Sequence, residues 1–104
     1  TGSPGGALII TIVLSTLQNE IDYGMNVQQA VDAPRIHMQW LPDVVEYEPG
    51  ALTAATMSSL RAMGYHFKEL PEWGSAQAVV VDPGTGMRYG GTDRSHPAGL
   101  AEGY

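Results

Sequence analysis

The sequence TGSPGGALIITIVL, residues 1–14, joins a turn to a long apolar run whose conformation decides the fold. The run is rich in β-branched residues, so a strand over residues 8–13 is possible, and periodicity alone does not settle the choice. We favour a helix over residues 7–23. The segment is long for a strand, its apolar residues recur three or four positions apart, and Gly24 suits the end of a helix. Because this helix is apolar nearly all round at its start, we expect it to be buried.

A second, short helix follows the first. Asn26 is a good N-cap residue, and Gln29 stands three positions later, where its side chain can reach back in a capping box. This helix must end near Ala33, because Pro34 disfavours a helical conformation in the residue before it.

Extended segments dominate the rest of the chain. Residues 77–81, with three consecutive valines, and residues 87–90 flank a Pro-Gly-Thr-Gly turn, which is the pattern of a hairpin. We predict further extended segments over residues 36–40, 44–48 and 65–70, a helix over 51–63 closed by Gly64, and a polar, irregular tail over 91–104. The mixture of helices and strands in this order is typical of the α+β class.

Length and charge limit what the chain does. Its 104 residues form one domain or one piece of a larger domain. The formal net charge is −6, with only five Lys and Arg residues, which argues against a nucleic-acid surface and excludes a polybasic membrane patch. The longest apolar run, residues 7–14, is far short of the roughly 20 residues that span a bilayer. The absence of cysteine excludes disulfides, thiolate metal sites and cysteine nucleophiles, and it leaves the cellular compartment open.

Gly5 and Gly6 are the sharpest candidates for a functional site. Two backbone N–H groups at a turn that enters a helix form an anion site, and glycine lets a substrate approach the backbone closely. In an acyl-transfer enzyme such a pair serves as an oxyanion hole, and it equally suits a substrate carboxylate. The simpler interpretation is a turn that only starts a helix, and residues 1–6 alone favour that interpretation.

The remaining nucleophile and metal-ligand candidates form no complete set. Thr1 would act as a nucleophile only as an N-terminus freed by processing, and we do not expect that role. The histidines lie 29 and 30 residues apart, without the spacing of a metal site. These histidines are His37, His66 and His96.

The charged residues have structural interpretations. Glu46 and Glu48 lie on one face of a predicted strand, where a solvated surface is a simpler explanation than paired acid–base catalysis. Arg35 has the geometry to bind a carboxylate ligand, but we expect a structural ion pair with Asp32 or a later acid.

Five short motifs follow one another along the chain. Thr-Gly-Ser-Pro-Gly-Gly at 1–6 precedes Tyr-Gly-Met-Asn-Val at 23–27 and Ala-Val-Asp-Ala-Pro-Arg-Ile-His-Met-Gln-Trp-Leu-Pro-Asp at 30–43. Trp-Gly-Ser-Ala-Gln-Ala-Val at 73–79 and Ala-Glu-Gly-Tyr at 101–104 complete the series. Together they resemble the C-terminal part of the small subunit in the γ-glutamyltranspeptidase (glutathione hydrolase) family. The resemblance covers essentially the whole chain, 1–104, as a single segment.

The resemblance implies a fold and an activity. The family belongs to the N-terminal-nucleophile hydrolases, with a four-layer αββα sandwich, and its precursor cleaves itself into a large and a small subunit. The new N-terminal threonine attacks the γ-glutamyl amide of glutathione or a related small molecule, and water or an acceptor amine resolves the glutamyl-enzyme. Gly5 and Gly6 match the family's oxyanion-hole glycines, with no metal or organic cofactor. The resemblance implies a periplasmic or secreted protein.

Two departures qualify the resemblance. The threonine-led segment that begins the small subunit is missing, so we predict that the isolated chain has no turnover and needs the rest of the small subunit and the large subunit. Family members often carry an Asp-Pro-Arg element where this chain reads Asp93-Arg94-Ser95. The alternatives are a non-catalytic α/β interaction module and an acylase relative that cleaves another amide.

Overall fold

The computed structural model describes residues 1–95 and 99–102, so His96 and the final Gly-Tyr of the last motif lie outside the described residues. The chain forms two compact units, one from Thr1–Ala33 with Gly74–Tyr104 and the other from Pro34–Trp73. The helices are a 3₁₀ turn at Gly6–Leu8, then α1 (Ile9–Ile21), α2 (Val27–Asp32) and α3 (Ala54–Ala62). The strands are β1 (Ile36–His37), β2 (Val45–Tyr47), β3 (Phe67–Glu69), β4 (Gln77–Val81) and β5 (Arg88–Thr92).

The apolar run folds as α1, so the helix prediction is confirmed and the strand alternative is wrong. Gly24 follows it with φ +64°, as a residue that ends a helix requires. The expectation that α1 is buried is wrong in this chain. Ile12 is only 1% exposed, whereas Ile10 and Ile21 are 74% and 75% exposed. The described part of this unit covers one stripe of the helix, mainly through α2, and the opposite apolar stripe faces outward.

The predicted capping box at the start of α2 is present. The backbone N–H of Gln29 donates to Asn26 Oδ1 at 2.9 Å, and the backbone N–H of Asn26 donates to Gln29 Oε1 at 3.1 Å. The helix ends at Asp32, two residues before Pro34. Val31 and Ala30 are buried and form part of the core of this unit.

Strands β4 and β5 form the predicted antiparallel hairpin. Gly91 pairs with Ala78 and lies against α2, since a Cβ at Gly91 would stand 2.8 Å from the carbonyl oxygen of Val27. The return strand runs to Thr92, so the predicted irregular tail begins later than expected. In the connecting turn, backbone N–H groups of Gly84 and Thr85 lower the pKa of the Asp82 carboxyl below its ordinary value.

The second unit holds a three-stranded sheet in the order β1-β2-β3. Strand β1 is antiparallel to β2, and β2 is parallel to β3, with α3 as the crossover. The predicted segments 36–40, 44–48 and 65–70 are all present in shortened form. Ladder pairing of β1 stops after His37, so the alternation that predicted an extended segment to residue 40 outlasts the strand. Thr53 caps α3 by accepting from the backbone N–H of Thr56, and Gly64 closes the helix with φ +99°.

Candidate functional site

The glycine pair forms a sharp turn directly before α1. Gly5 and Gly6 have φ values of +142° and +57°, a region that other residues rarely adopt. A Cβ at Gly5 would stand 3.3 Å from Ile12 Cδ1, whereas a Cβ at Gly6 would meet nothing within 4 Å. Both glycines are exposed, so the turn presents its backbone to the surroundings.

Both peptide groups of the pair have their carbonyl side engaged and their N–H side open. Pro4 O accepts a hydrogen bond from Ser3 Oγ at 2.8 Å, and Gly5 O accepts one from the backbone N–H of Leu8 at 3.1 Å. Within residues 1–95 and 99–102, no acceptor binds the N–H of Gly5 or of Gly6. Two unengaged N–H groups at adjacent positions are what an anion or a developing oxyanion requires.

The segment that leads into the turn is fixed along the edge of β4. Gly2 and Gln77 exchange two backbone hydrogen bonds of 2.9 and 2.8 Å. The hydroxyl of Thr1 also donates to Gln77 O at 2.9 Å, a contact that suits an anchoring residue. Ser3 is held in turn, because the backbone N–H of Ser75 donates to its Oγ at 3.0 Å.

Gly74 allows the loop before β4 to lie close to both Ile12 and Ser3. A Cβ at Gly74 would stand 2.5 Å from Ile12 Cδ1 and 3.1 Å from Ser3 Oγ, and its φ is +77°. Any side chain at this position would therefore push against the buried Ile12 and the Ser3 hydroxyl that contacts the turn.

The residues next to the turn in sequence leave its charge environment to the backbone. Residues 1–34 contain no Lys or Arg, and the first turn of α1 contains no acid. An anion at the turn would therefore meet two N–H dipoles and the positive end of a 13-residue helix, with no neighbouring carboxylate in the first turn to oppose them.

The Asp93-Arg94-Ser95 segment fixes the loop after β5. Asp93 is 3% exposed, and its carboxylate accepts from the backbone N–H of Ala76 at 3.3 Å and from the Ser95 hydroxyl at 2.7 Å. Arg94 lies outside, where its Nε is 3.2 Å from Asp32 Oδ2. Asp93 therefore holds Ala76, which directly follows Ser75. The backbone N–H of Ser75 is the group that binds Ser3 Oγ.

The other sequence candidates are structural. Arg35 Nη1 lies 3.2 Å from Glu48 Oε1, both side chains being buried, so the expected ion pair with a later acid is confirmed. A solvated Glu46 and Glu48 face is wrong for Glu48. Glu46 lies 3.8 Å from the exposed Lys68 ammonium. His37 is buried and His66 exposed.

Two absences hold for residues 1–95 and 99–102. No cluster of metal-ligating side chains occurs there. No helix in that part of the chain has both the length and the apolar character needed to cross a membrane.

The sequence predicts the turn at the glycine pair but not the long-range contacts around it. Ser3 and Ser75 are 72 positions apart, and Ala76 and Asp93 are 17 apart. No local pattern links such partners, because the first pair meets where Gly2 pairs with Gln77 of β4, and the second meets across the β4–β5 hairpin. A hydroxyl residue directly before Pro-Gly-Gly is the one signal that singles out Ser3.

Comparison with known proteins gives a consistent result. The family model described as gamma-glutamyltranspeptidase matches residues 1–102. The glutathione hydrolase proenzyme of Escherichia coli (strain K12) is 44% identical over 104 residues, which are 100% of this chain and 18% of that protein. The chain therefore spans less than a fifth of the length of this relative.

Solved structures agree with the sequence matches. A mutant of the Helicobacter pylori gamma-glutamyltranspeptidase matches with a TM-score of 0.86 and 45% identity, covering 91% of this chain and 52% of that one. A cephalosporin acylase from Bacillus halodurans matches with a TM-score of 0.78 and 31% identity, covering 89% of this chain and 18% of that one.

Proposed function

Because this chain belongs to the gamma-glutamyltranspeptidase family, we propose that it is the C-terminal part of the small subunit of a glutathione hydrolase. The parent protein, meaning the full polypeptide that contains this chain, would cleave or transfer the γ-glutamyl group of glutathione and related amides. The observation that carries the proposal is the Gly5–Gly6 turn, whose two N–H groups are open while both partner carbonyls are bound. Gly5 and Gly6 would form the oxyanion hole.

The proposed chemistry assigns the chain one role in acyl transfer. A threonine hydroxyl from outside this chain attacks the γ-carbonyl carbon, and its proton passes to the free α-amino group. The carbonyl oxygen then gains negative charge as the tetrahedral intermediate forms. The N–H groups of Gly5 and Gly6 donate to that oxygen. The threonine α-ammonium returns that proton to the amide nitrogen as the C–N bond breaks and the amine leaves, and water or an acceptor amine then resolves the glutamyl-threonine ester.

The exposed apolar surface of α1 supports a larger assembly. Ile10, Leu14 and Ile21 are all more than half exposed on a helix of 13 residues. Contiguous apolar surface of this kind marks an interface. We assign it to the rest of the small subunit and the large subunit, in the four-layer αββα sandwich of the N-terminal-nucleophile hydrolases. By family resemblance we place the parent in the periplasm or outside the cell.

The test begins with the purified parent protein. N-terminal sequencing and intact mass should show a chain that contains residues 1–104 and starts upstream at a threonine freed by cleavage. This protein should release the aniline from a γ-glutamyl anilide, and a polypeptide of residues 1–104 alone should not. A mature chain that starts at Thr1, or an uncleaved parent without amidase activity, would contradict the proposal.

Two other functions can be distinguished from the proposed one by experiment. The similarity to a cephalosporin acylase favours an acylase relative as the second candidate. Parallel assays of the parent with γ-glutamyl and glutaryl amides separate the two, since the acylase should prefer the glutaryl group. A non-catalytic interaction module would instead give a parent that cleaves neither substrate, together with an isolated chain that melts cooperatively as a monomer.

A further inference from the structure

The first oxyanion donor belongs to the peptide group that joins Pro4 to Gly5. A trans peptide group is planar, and its N–H points opposite to its C=O. The single cis peptide bond of the described residues lies elsewhere, at Leu41–Pro42. Whatever holds the Pro4 carbonyl therefore also sets the direction of the Gly5 N–H.

Ser3 holds that carbonyl through its side chain. Its Oγ lies 2.8 Å from Pro4 O, and the backbone nitrogen of Ser75 lies 3.0 Å from the same Oγ. A carbonyl oxygen only accepts and a backbone N–H only donates, so the assignment of donors is unambiguous. The Ser3 hydroxyl accepts a hydrogen bond from the backbone N–H of Ser75 and donates one to the Pro4 carbonyl.

This chain of hydrogen bonds acts on the donor in two ways. It fixes the plane of the Pro4–Gly5 peptide, which otherwise turns easily because glycine tolerates many conformations. It also polarises the peptide, since a bound carbonyl makes its own N–H a stronger donor. The second donor has no such control by a side chain, because the Gly5 carbonyl is held by the backbone N–H of Leu8.

We propose that Ser3 is a positioning residue for the oxyanion site, which aims the Gly5 N–H through the Pro4 carbonyl. The inference rests on the proposed function. Ser3 touches no substrate in this account and acts only through the peptide group. Gly74 leaves room for the Ser3 hydroxyl, because a Cβ at position 74 would stand 3.1 Å from Ser3 Oγ.

The experiment compares four forms of the full parent enzyme: wild type, Ser3→Ala, Ser3→Thr and Thr1→Val. Ser3→Ala should lower kcat about 10-fold and change KM little, because the donor is misaimed in the transition state and substrate binding is untouched. Ser3→Thr keeps the hydroxyl and should restore kcat. Thr1→Val is the matched control. It removes another hydroxyl from the segment before the turn, which donates to Gln77 O and does not bind the carbonyl of either oxyanion-donor peptide.

The outcomes separate this inference from the proposed function. Wild-type kcat in Ser3→Ala, or equal losses in Ser3→Ala and Thr1→Val, would overturn the role of Ser3 and leave the glycine pair untouched. A parent without γ-glutamyl amidase activity would instead remove the proposed function. If Ser3→Ala does not fold or mature, Ser3→Cys replaces it. This near-isosteric thiol is a weak donor, so an intermediate kcat supports the proposal and a wild-type kcat contradicts it.

Discussion

Arg35 and Glu48 form a buried ion pair in which one carboxylate satisfies three donors. Glu48 Oε1 accepts from Arg35 Nη1 at 3.2 Å and from the backbone N–H of Trp73 at 2.9 Å, and Oε2 accepts from the backbone N–H of Arg35 at 2.8 Å. The carboxylate thereby joins the residue before β1, the residue after β2 and the loop at residue 73 within the second unit.

Glu48→Ala should therefore destabilise the parent strongly. It leaves a buried guanidinium and two backbone N–H groups without this acceptor, which costs about 3–5 kcal/mol when one partner of a buried pair is removed. Thermal and urea denaturation of the parent measure the loss. Glu46→Ala is the matched control two residues earlier, within β2, and its pair with the exposed Lys68 should contribute less than about 1 kcal/mol. Equal effects of the two substitutions would contradict this account.

Gly74→Ala tests the close approach of the loop to α1. Its Cβ would stand 2.5 Å from Ile12 Cδ1, so we expect an overpacking cost of about 1–3 kcal/mol. Gly86→Ala is the control, because Gly86 has nearly the same φ, +73°, and open space around its Cβ. Ile12→Val removes the clashing methyl group and should recover part of the loss in the double variant. Additive effects in this cycle would show that the two residues do not compete for space.

Asp93→Ala tests the loop after β5. The buried N–H of Ala76 loses an acceptor, and an unsatisfied buried donor costs about 1–3 kcal/mol. The thermal midpoint of the parent should fall, and Arg94→Ala should change it little because its side chain is 80% exposed. If Arg94→Ala lowers the thermal midpoint more than Asp93→Ala does, the stabilising role given to the Asp93 carboxylate is wrong.

The exposed stripe of α1 predicts the behaviour of the isolated chain. A polypeptide of residues 1–104 should self-associate and bind a hydrophobic dye, because Ile10 and Ile21 are about three-quarters exposed. Replacing both by Lys should reduce dye binding in the isolated chain and impair maturation of the parent. A monodisperse, dye-silent wild-type chain would contradict the interface and favour an interaction module.

Local patterns predicted the elements whose determinants are close in sequence. The capping box needs only Asn26 and Gln29, and the hairpin needs only the turn between two apolar segments. The turn at Gly5 and Gly6 was also predictable, because Pro-Gly-Gly before an apolar run favours a turn that starts a helix. In each case the partners that define the feature lie within a few residues of each other.

Features that depend on distant partners were not predictable. The apolar residues of α1 indicate burial, but burial depends on what covers them, and in the described chain they stay largely open. The alternation after Ile36 predicted a longer strand, but a strand ends where its partner ends, here after His37. The contact from Ser75 to Ser3 follows from the position of β4, which no local signal reveals.

Gly6→Val in the parent enzyme tests whether the open N–H groups of Gly5 and Gly6 stabilise the oxyanion. Gly24→Val is the matched control, since Gly6 and Gly24 have φ values of +57° and +64° and neither has an atom within 4 Å of its Cβ position. We expect similar losses of stability in both variants, and a kcat about 100- to 1,000-fold lower in Gly6→Val alone. Equal kcat values in the two variants, measured with a γ-glutamyl anilide, would contradict this expectation.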